Sequence, residues 1–399
     1  MANNNENKIL NVPNLRFPEF SGEWSSQPLT DFMNFKNGLN PDAKRFGRGT
    51  KFISVMDILN NQYICYDNIR ASVELQDGDI ETYGVDYGDI LFQRSSETLE
   101  DVGRANVYLD SKPAIFGGFV IRGKSKGNYN PLFFRYLLAS PTARKRIIVK
   151  GAGAQHFNIG QDGLSKVSLD IPRLSEQEKI GKLLQCVDAR IATQNKIIED
   201  LKKLKSAIIH RCYSSQTNMI PLSELLKQCS DRNRSGSDLQ VLSVSNKYGF
   251  IAQSNQFEDR EVASDDTSNY KVVKKGMFAY NPARINVGSI ALYEMDSNGI
   301  VSPMYVCFTT KSELLPSYLK YYFASQTFKH EMYKRLEGSV RLCLTFEELC
   351  NIEIHLPSIE QQKNISKYIS KIENNLSLVD SIFSKYQQQR RYLLSQMFI

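Results

Sequence analysis

Two stretches of the chain carry apolar residues at alternating steps of four and three positions. This heptad spacing is typical of a helix that packs along one seam against another helix. No proline interrupts either stretch, and each is about 38 residues, or about 57 Å, long as a helix. The apolar seam positions are Ile180, Leu184, Val187, Ile191, Ile198, Leu201 and Ile208 in the first stretch, and Ile365, Ile369, Ile372, Leu376, Val379, Phe383, Tyr386 and Leu393 in the second.

Both seams also carry a basic residue at the same step, Lys205 in the first and Arg390 in the second. Ser175 followed by Glu178 has capping-box spacing, which predicts that the first helix begins there. A seam of this length needs a partner, and we predict that the two helices form an antiparallel coiled coil. The alternative is that each helix packs against the globular domain before it.

The two helices are part of a longer internal repeat. Pro172 aligns with Pro357, an offset of 357 − 172 = 185 residues. The same offset, without gaps, aligns Val102-Gly103 with Val287-Gly288, Tyr108 with Tyr293, Tyr136 with Tyr321, and Ile197 with Ile382. A repeat of this length is a whole domain rather than a solenoid unit. The predicted order is therefore domain, helix, domain, helix, with the two halves related by an approximate twofold axis.

Each globular part, called a head below, has the pattern of a mixed α/β (α+β) domain. Short segments rich in β-branched and aromatic residues, such as KFISVM (51–56), GDILFQ (88–93) and GMFAYN (276–281), predict strands. PLFFRYLLAS (131–140) and PSYLKYYFAS (316–325) predict one clear helix in each head. The predicted bounds are 1–14 for a polar N-terminal tail, 15–170 for the first head, 171–215 for the first spacer helix, 216–355 for the second head and 356–399 for the second spacer helix.

The repeat places two polar loops at equivalent positions in each head. Loop A spans 93–104 in the first head and 281–289 in the second, and loop B spans 150–158 and 335–342. Arginine and lysine can bind guanine edges, asparagine and glutamine can bind adenine edges, and glycine lets the backbone approach phosphate. We predict DNA contacts, to base or phosphate, from Arg94, Arg104, Lys150, Gln155, His156 and Asn158 in the first head and from Lys247, Asn281, Arg284, Asn286, Arg335 and Arg341 in the second.

Composition narrows the class of partner. The net charge of +7 and a pI near 8.8 favour a polyanion. No apolar run approaches the roughly 18 residues of a membrane span, and the polar start MANNNENKIL does not resemble a signal peptide. Because the seven cysteines form no Cys-x-x-Cys pair and the four histidines are scattered, we expect reduced thiols, a cytoplasmic location, no membrane and no metal.

Two segments resemble catalytic motifs only in part. GFVIRGKS (118–125) has P-loop spacing, but its middle favours a strand and the residues that follow do not favour a helix. YNPA (280–283) lacks the second proline and the aromatic residue of the adenine methyltransferase motif, so we predict a loop that turns at Pro282. No serine or cysteine nucleophile with a recognisable base is evident either. We therefore expect no catalytic residue in this chain.

The helix starts and the opening segment carry a family resemblance. Pro172 and Pro357 each begin a Pro-x-[Leu/Ile]-x-x-Gln motif, and NVPNLRFPEFSGEW (11–24) is similar to the start of the same proteins. Together with the repeated architecture, these segments resemble the specificity subunit of a type I restriction-modification enzyme over nearly the whole chain.

The resemblance implies a function for each part. Each head would be a target recognition domain for one half of a split site in double-stranded DNA. The helices would set the unread gap and dock two methyltransferase (modification) subunits, which restriction (translocase) subunits then join. S-adenosylmethionine and ATP with magnesium would belong to those partners, and this chain would hold no cofactor.

Two other functions stay open from the residues alone. One is a coiled-coil scaffold whose heads bind proteins, which salt-dependent binding to duplex DNA would distinguish from a DNA-recognition subunit. The other is a P-loop nucleotide hydrolase, which would require ATP binding that depends on Lys124.

Overall fold

The structure, a computed structural model, describes residues 10–153, 155–215, 217–234, 238–253, 266–338 and 342–399. Two compact units make up the chain. The first contains Met1–Asn195 and Ser381–Ile399, and the second contains Lys196–Asp380. Each unit therefore combines one head with a segment of each long helix, whereas the sequence-based bounds treat the helices as separate segments.

The first head is built from short strands and short helices. Its strands are β1 (Ser25–Pro28), β2 (Met33–Asn37), β3 (Phe46–Ile53), β4 (Ser72–Val73), β5 (Gly84–Val85), β6 (Ile90–Gln93), β7 (Ser95–Ser96), β8 (Ala105–Val107), β9 (Ala114–Phe116), β10 (Val120–Ser125), β11 (Phe157–Asn158) and β12 (Ser168–Ile171). Its helices are α1 (Val55–Asn60), α2 (Asp79–Tyr83), α3 (Pro131–Ala139), α4 (Pro141–Ile148) and α5 (Gln161–Ser165), with 3-10 turns at Leu29–Asp31, Ala43–Arg45 and Tyr66–Asn68.

The first long helix, α6 (Leu174–Tyr213), leads into the second head. The strands of that head are β13 (Met219–Pro221), β14 (Leu226–Cys229), β15 (Gln240–Ser245), β16 (Gly249–Ala252), β17 (Lys271–Val273), β18 (Phe278–Tyr280), β19 (Ile290–Leu292), β20 (Gly299–Val301), β21 (Val306–Thr310) and β22 (Glu353–His355). Its helices are α7 (Leu222–Leu225), α8 (Pro316–Phe323), α9 (Gln326–Lys334) and α10 (Phe346–Cys350), with a 3-10 helix at Pro282–Val287, and the long helix α11 (Ile359–Gln396) follows.

Sheet topology confirms the predicted internal repeat. One sheet of the first head has the order β2-β10-β6-β8, and its counterpart in the second head has the order β14-β21-β18-β19. The other sheets, β4-β3-β9-β5 and β16-β15-β20-β17, also correspond, and each contains a single parallel pair among antiparallel ones. The mixed α/β fold class is therefore confirmed for both heads.

Local sequence explains the starts of α1 and of the 3-10 helix at Pro282, and both differ from the predictions. KFISVM is not one strand, because β3 ends at Ile53 and Ser54 begins α1 through hydrogen bonds from its backbone N–H and its hydroxyl to Asp57 Oδ2, both 2.7 Å. The GFVIRGKS segment does contain a strand, β10, as expected. Pro282 begins a 3-10 helix rather than a plain loop, with Asn281 as its N-cap.

The starts of the two long helices differ from each other. Helix α6 begins at Leu174, so Ser175 lies inside its first turn rather than at the cap. Helix α11 does have a capping box, in which the Ser358 backbone N–H donates to Gln361 Oε1 (3.1 Å) and the Gln361 N–H donates to Ser358 Oγ (3.3 Å). The position equivalent to Ser358 in the first repeat is Arg173, which has no side-chain oxygen to accept that bond.

Segments of the two long helices contact each other within each unit, and in the first unit two contacts show that they run in opposite directions. In the first unit Asp188 contacts Arg390, and Arg190 lies over the ring of Tyr386, 5.8 Å from its centroid. In the second unit Lys205 contacts Glu373. All fifteen predicted apolar seam positions are buried or half-buried.

The last residues of the predicted polar tail 1–14 contact the first head. Asn11 Nδ2 donates to the Trp24 carbonyl and to Asp170 Oδ1, both at 2.8 Å. Arg16 forms a two-pronged ion pair with the buried Glu176 at the start of α6, with both contacts at 2.8 Å. Residues 11 to 14 are thus part of the first unit, and residues 1–9 lie outside the described residues. Within the described residues, no helix is long and apolar enough to cross a membrane.

Candidate nucleic-acid interface

Hydrogen bonds join loops A and B of the first head. Strand β7 of loop A pairs with β11 of loop B, so that Ser95 lies opposite Asn158. The Ile159 N–H also donates to the Arg94 carbonyl at 3.0 Å, and the Ser95 hydroxyl bonds the Asn158 amide oxygen. The candidates Arg94 and Asn158, which are distant in sequence, therefore belong to one surface.

The second head repeats one of these bonds, the backbone bond from the residue just after loop B to loop A. Leu344, at the 185-residue offset from Ile159, donates its N–H to the Pro282 carbonyl of loop A at 3.2 Å. A β-bridge joins Glu337 to Cys343 across loop B, with N–O distances of 2.9 and 2.8 Å. In the first head, the equivalent bridge joins Ala152 to Asn158 at 2.9 and 2.8 Å.

Glycine has a specific role where loop A turns back into its sheet. The φ angles of Gly103 and Gly288, the equivalent residues of the Val-Gly pairs, are +68° and +92°, in the left-handed region that favours glycine. A Cβ on Gly103 would also lie 2.6 Å from Ile147 Cγ2. In the first head, Arg144 holds the preceding turn by donating from Nη2 to the carbonyls of Glu100 (2.8 Å) and Val102 (2.6 Å).

The predicted DNA contacts differ in how freely they are presented. The exposed candidates are Arg104, Lys150, Gln155, His156, Asn158, Lys247 and Arg284, and the half-buried ones are Arg94, Asn281, Asn286 and Arg335. Arg341 lies outside the described residues. Arg335 is held by Glu331 at 2.6 Å, whereas Arg104 forms an exposed pair with Asp101 at 2.7 Å, which contributes little to stability. Lys247 Nζ lies 4.8 Å from the ring centroid of Tyr248, and a hydrogen bond to the Tyr248 side chain raises the pKa of the Lys247 ammonium group.

The motif glutamines fasten each head to the start of its following helix. Gln177 Nε2 donates to the Pro172 carbonyl (2.9 Å), and its Oε1 accepts the backbone N–H of Asn130 (2.9 Å), the N-cap residue of α3. Gln362 makes the equivalent bonds to Pro357 (2.9 Å) and Leu315 (2.8 Å). Both glutamines are buried. The Pro-x-[Leu/Ile]-x-x-Gln motif therefore orients the loop-bearing head on its helix.

A second repeated contact joins each head to both long helices. In the first unit, Asp188 of α6 accepts hydrogen bonds from the Tyr136 hydroxyl (2.9 Å) and from Arg390 Nε of α11 (2.5 Å). The 185-residue offset aligns Tyr136 with Tyr321 and Asp188 with Glu373. In the second unit, Glu373 of α11 accepts from the Tyr321 hydroxyl (2.8 Å) and from Lys205 of α6 (2.5 Å).

These contacts explain the basic residue at the same step of each seam. Lys205 and Arg390 each neutralise a carboxylate that also anchors a head tyrosine. We call these two groups the helix-head triads: Tyr136, Asp188 and Arg390 in the first unit, and Tyr321, Glu373 and Lys205 in the second. The sequence revealed their basic members as exceptions in an apolar pattern but did not reveal their partners.

The repeated heads, the paired loops and the long helices define a two-headed specificity module, and comparison with known proteins supports that class. The family model described as type I restriction modification DNA specificity domain matches residues 21–203 and 233–382. This chain belongs to that family, and it is a type I restriction-modification specificity subunit, as the resemblance predicted.

Individual relatives span almost all of the chain. The type I restriction enzyme MjaVIII specificity subunit of Methanocaldococcus jannaschii is 24% identical over 408 residues, which cover 94% of this chain and 91% of that protein. The crystal structure of a type I restriction-modification S subunit from M. genitalium has a TM-score of 0.61 at 16% identity, over 97% of this chain and 99% of that chain. A structure concerned with complex assembly and conformational transition of the type I R-M system has a TM-score of 0.55 at 13% identity, over 95% and 98%. The two solved structures support the fold.

Proposed function

We propose that this subunit gives a type I restriction-modification complex its DNA sequence specificity, and that each head recognises one half of a bipartite, asymmetric site. The carrying observation is that in both heads a residue just after loop B, Ile159 or Leu344, donates its backbone N–H to a carbonyl of loop A, whereas the side chains on the two pairs of loops differ. At that bond, loop A has Arg94 in one head and Pro282 in the other. A repeated scaffold with unlike side chains is suited to two unlike half-sites.

The side chains on the two loop surfaces match the chemistry of base edges and phosphates. Arg284 is exposed in the second head and, as a guanidinium, can donate two hydrogen bonds to guanine O6 and N7. Gln155 and Asn158 are exposed in the first head and suit adenine. The net charge of +7 adds attraction to the phosphate backbone.

The long helices, in this proposal, set the unread gap and dock two methyltransferase subunits, which restriction subunits then join. Ile197 and Leu204 are exposed one heptad apart on α6, and Tyr368 and Leu378 are exposed on α11. Exposed apolar side chains on a helix suit a protein partner. Leu183 of α6, although apolar, is half-buried against the first core and does not belong to this surface. The chain would act in the cytoplasm without a catalytic site, with S-adenosylmethionine and ATP bound by its partners.

The proposal is tested by binding of the complex with its methyltransferase subunits to duplexes that carry changes in one half-site at a time. Arg284→Ala is expected to reduce discrimination at one position of one half-site by about 5- to 150-fold, the range for a bidentate base contact. Arg48→Ala, which removes an exposed arginine of the first head paired with Glu74, is the matched control and should leave that position unchanged.

Two outcomes would contradict parts of the proposal. An equal loss for every DNA sequence would make Arg284 a phosphate contact rather than a specificity residue. Weak binding to all duplexes, with little dependence on salt, would contradict DNA recognition itself and favour a protein-binding scaffold.

A further inference from the structure

A turn beside loop A carries an exposed apolar residue in both heads. In the first head the turn joins β9 to β10, and the Val120 N–H donates to the Gly117 carbonyl at 2.8 Å. In the second head the turn joins β20 to β21, and the Tyr305 N–H donates to the Ser302 carbonyl at 3.0 Å. The third residue of each turn is Phe119 or Met304, related by the 185-residue offset. We call these two residues the tip residues.

The side chains of both tip residues are largely exposed to solvent. Phe119 is 69% exposed and Met304 is 62% exposed, so neither is placed by packing in a core. The other turn residues change in chemistry between the heads: Gly117 and Gly118 become serine and proline in the second turn. A single exposed apolar residue is ordinary, but its recurrence at the equivalent place of a diverged repeat indicates a role outside the fold.

The first turn is held firmly, which fixes where its tip residue is presented. A Cβ on Gly118 would lie 1.8 Å from Asn40 Oδ1, and a Cβ on Gly117 would lie 2.7 Å from the Phe52 ring. Arg94 of loop A donates its backbone N–H to the Phe119 carbonyl at 2.9 Å and its Nη1 to the Gly118 carbonyl at 3.3 Å. Phe119 is thus attached to the predicted DNA-binding loop.

The surroundings of the two tips differ in chemistry. Phe119 borders a cavity of about 480 Å³ with an apolar rim that includes the exposed Phe46 and Met56. Met304 borders a cavity of about 520 Å³ whose other lining includes Asn281 and Arg284. The Asn281 amide donates to the Met304 sulfur at 3.5 Å.

The two tips suit different base edges, because one is surrounded by apolar side chains and the other by hydrogen-bond donors. In the major groove, thymine alone presents a methyl group, and apolar side chains recognise it by contact. An apolar rim suits that methyl group, whereas an arginine and an asparagine suit hydrogen-bonding edges. Arg94 beside Phe119, and the exposed Lys44 within the 3-10 turn before Phe46, supply positive charge that favours DNA over an apolar protein partner.

We propose that Phe119 and Met304 are equivalent apolar base contacts, and that Phe119 recognises the methyl group of a thymine in the half-site of the first head. This inference rests on the proposed function, because it names the group recognised by a head already assigned to DNA. The second tip makes an apolar contact beside the base that Arg284 recognises.

The test replaces each thymine of the half-sites with uracil, one at a time, in duplexes bound by the complex with the methyltransferase subunits. Uracil removes only the methyl group. At one thymine of the first half-site the wild-type complex should lose affinity about fourfold, the effect of one buried methyl-sized group. Phe119→Ala should bind the thymine and uracil duplexes equally, whereas Phe119→Leu should retain a preference for thymine.

Met304→Ala is the matched control, because it removes the equivalent tip of the other head. It should keep the thymine preference in the first half-site and lower affinity for the second. The inference is overturned if wild-type binding ignores every uracil, if Phe119→Ala keeps the preference, or if Phe119→Ala only impairs assembly with the methyltransferase subunits. If one of these outcomes occurs but the wild-type complex still binds DNA sequence-specifically, only the inference about Phe119 fails. If the wild-type complex shows no sequence-specific binding, the proposed function itself is contradicted.

Discussion

The helix-head triads predict that one substitution has unequal costs in the two units. In the first unit, the Asp188 side chain is 7% exposed and accepts bonds from Arg135 (3.2 Å), the Tyr136 hydroxyl and Arg390. In the second unit, the Glu373 side chain is 33% exposed, and it accepts from the Tyr321 hydroxyl and from Lys205, which is itself partly exposed. Asp188→Ala and Glu373→Ala are therefore matched changes in different environments.

The magnitudes follow from burial. Removing Asp188 leaves two guanidinium groups and a buried hydroxyl without their shared acceptor, and breaking a buried ion pair costs about 3–5 kcal/mol. Removing Glu373 breaks a solvent-screened ion pair worth at most about 1 kcal/mol and one tyrosine hydrogen bond worth about 1 kcal/mol. We expect a loss of about 3–5 kcal/mol in the first unit and about 1–2 kcal/mol in the second.

Hydrogen exchange measured by peptide mass spectrometry on the full chain resolves the two units. Global denaturation does not, because a protein of two units need not unfold in one step. The free energy of opening should fall for α3 in Asp188→Ala and, by less, for α8 in Glu373→Ala. Equal losses in the two variants, or a fall confined to the unit that was not changed, would refute the reasoning from burial.

Three further predictions concern single residues: a motif glutamine, two cysteines and a loop glycine. Gln177→Ala should lower the free energy of opening of α3 by about 1–3 kcal/mol, because a buried N–H and a buried carbonyl lose their partner. Gln177→Glu keeps the hydrogen-bond acceptor but loses the donor. Hydrogen exchange in α3 that matched the wild type in both variants would contradict this role. Iodoacetamide at pH 8 should modify the exposed Cys186 but spare Cys307 in the folded chain, because burial raises the pKa of the Cys307 thiol to about 12; equal labelling of the two, measured by mass spectrometry, would contradict that burial. Gly288→Ala should place a side chain at φ +92° and destabilise loop A of the second head by about 1 kcal/mol or more, measured as faster hydrogen exchange there than in the wild type.

The periodicity of apolar residues and the internal repeat predict the paired long helices and the two similar heads from the sequence alone. The heptad steps placed the seam, and none of its apolar positions is exposed. The constant offset predicted two heads of one topology, because duplicated sequences keep their strand order. It also aligns Tyr136 with Tyr321, so that together with the basic residues Arg390 and Lys205 it indicates two of the three members of each helix-head triad, but not the acidic member.

The missed features depend on contacts between residues far apart in sequence. Gln177 was visible as part of a helix-start motif, but its bonds to Pro172 and Asn130 require the folded head. Nothing in the local pattern around Phe119 distinguishes an exposed tip from a strand residue, because the GFVIRG segment is apolar. Its equivalence to Met304 was the available signal. The start of α6 at Leu174 differs from the prediction because the Ser175–Glu178 spacing fits a capping box that this helix does not use. The end of β3 at Ile53 differs because KFISVM has a strand-like composition on both sides of Ser54.

The most direct test of DNA recognition by two unlike heads is a genome-wide map of methylated adenines in cells that express this chain with its methyltransferase subunit. The account predicts methylation at one bipartite sequence, whose two short half-sites differ and are separated by a fixed number of unspecified base pairs. Methylation within a single uninterrupted sequence, or half-sites that are identical inverted copies, would contradict it.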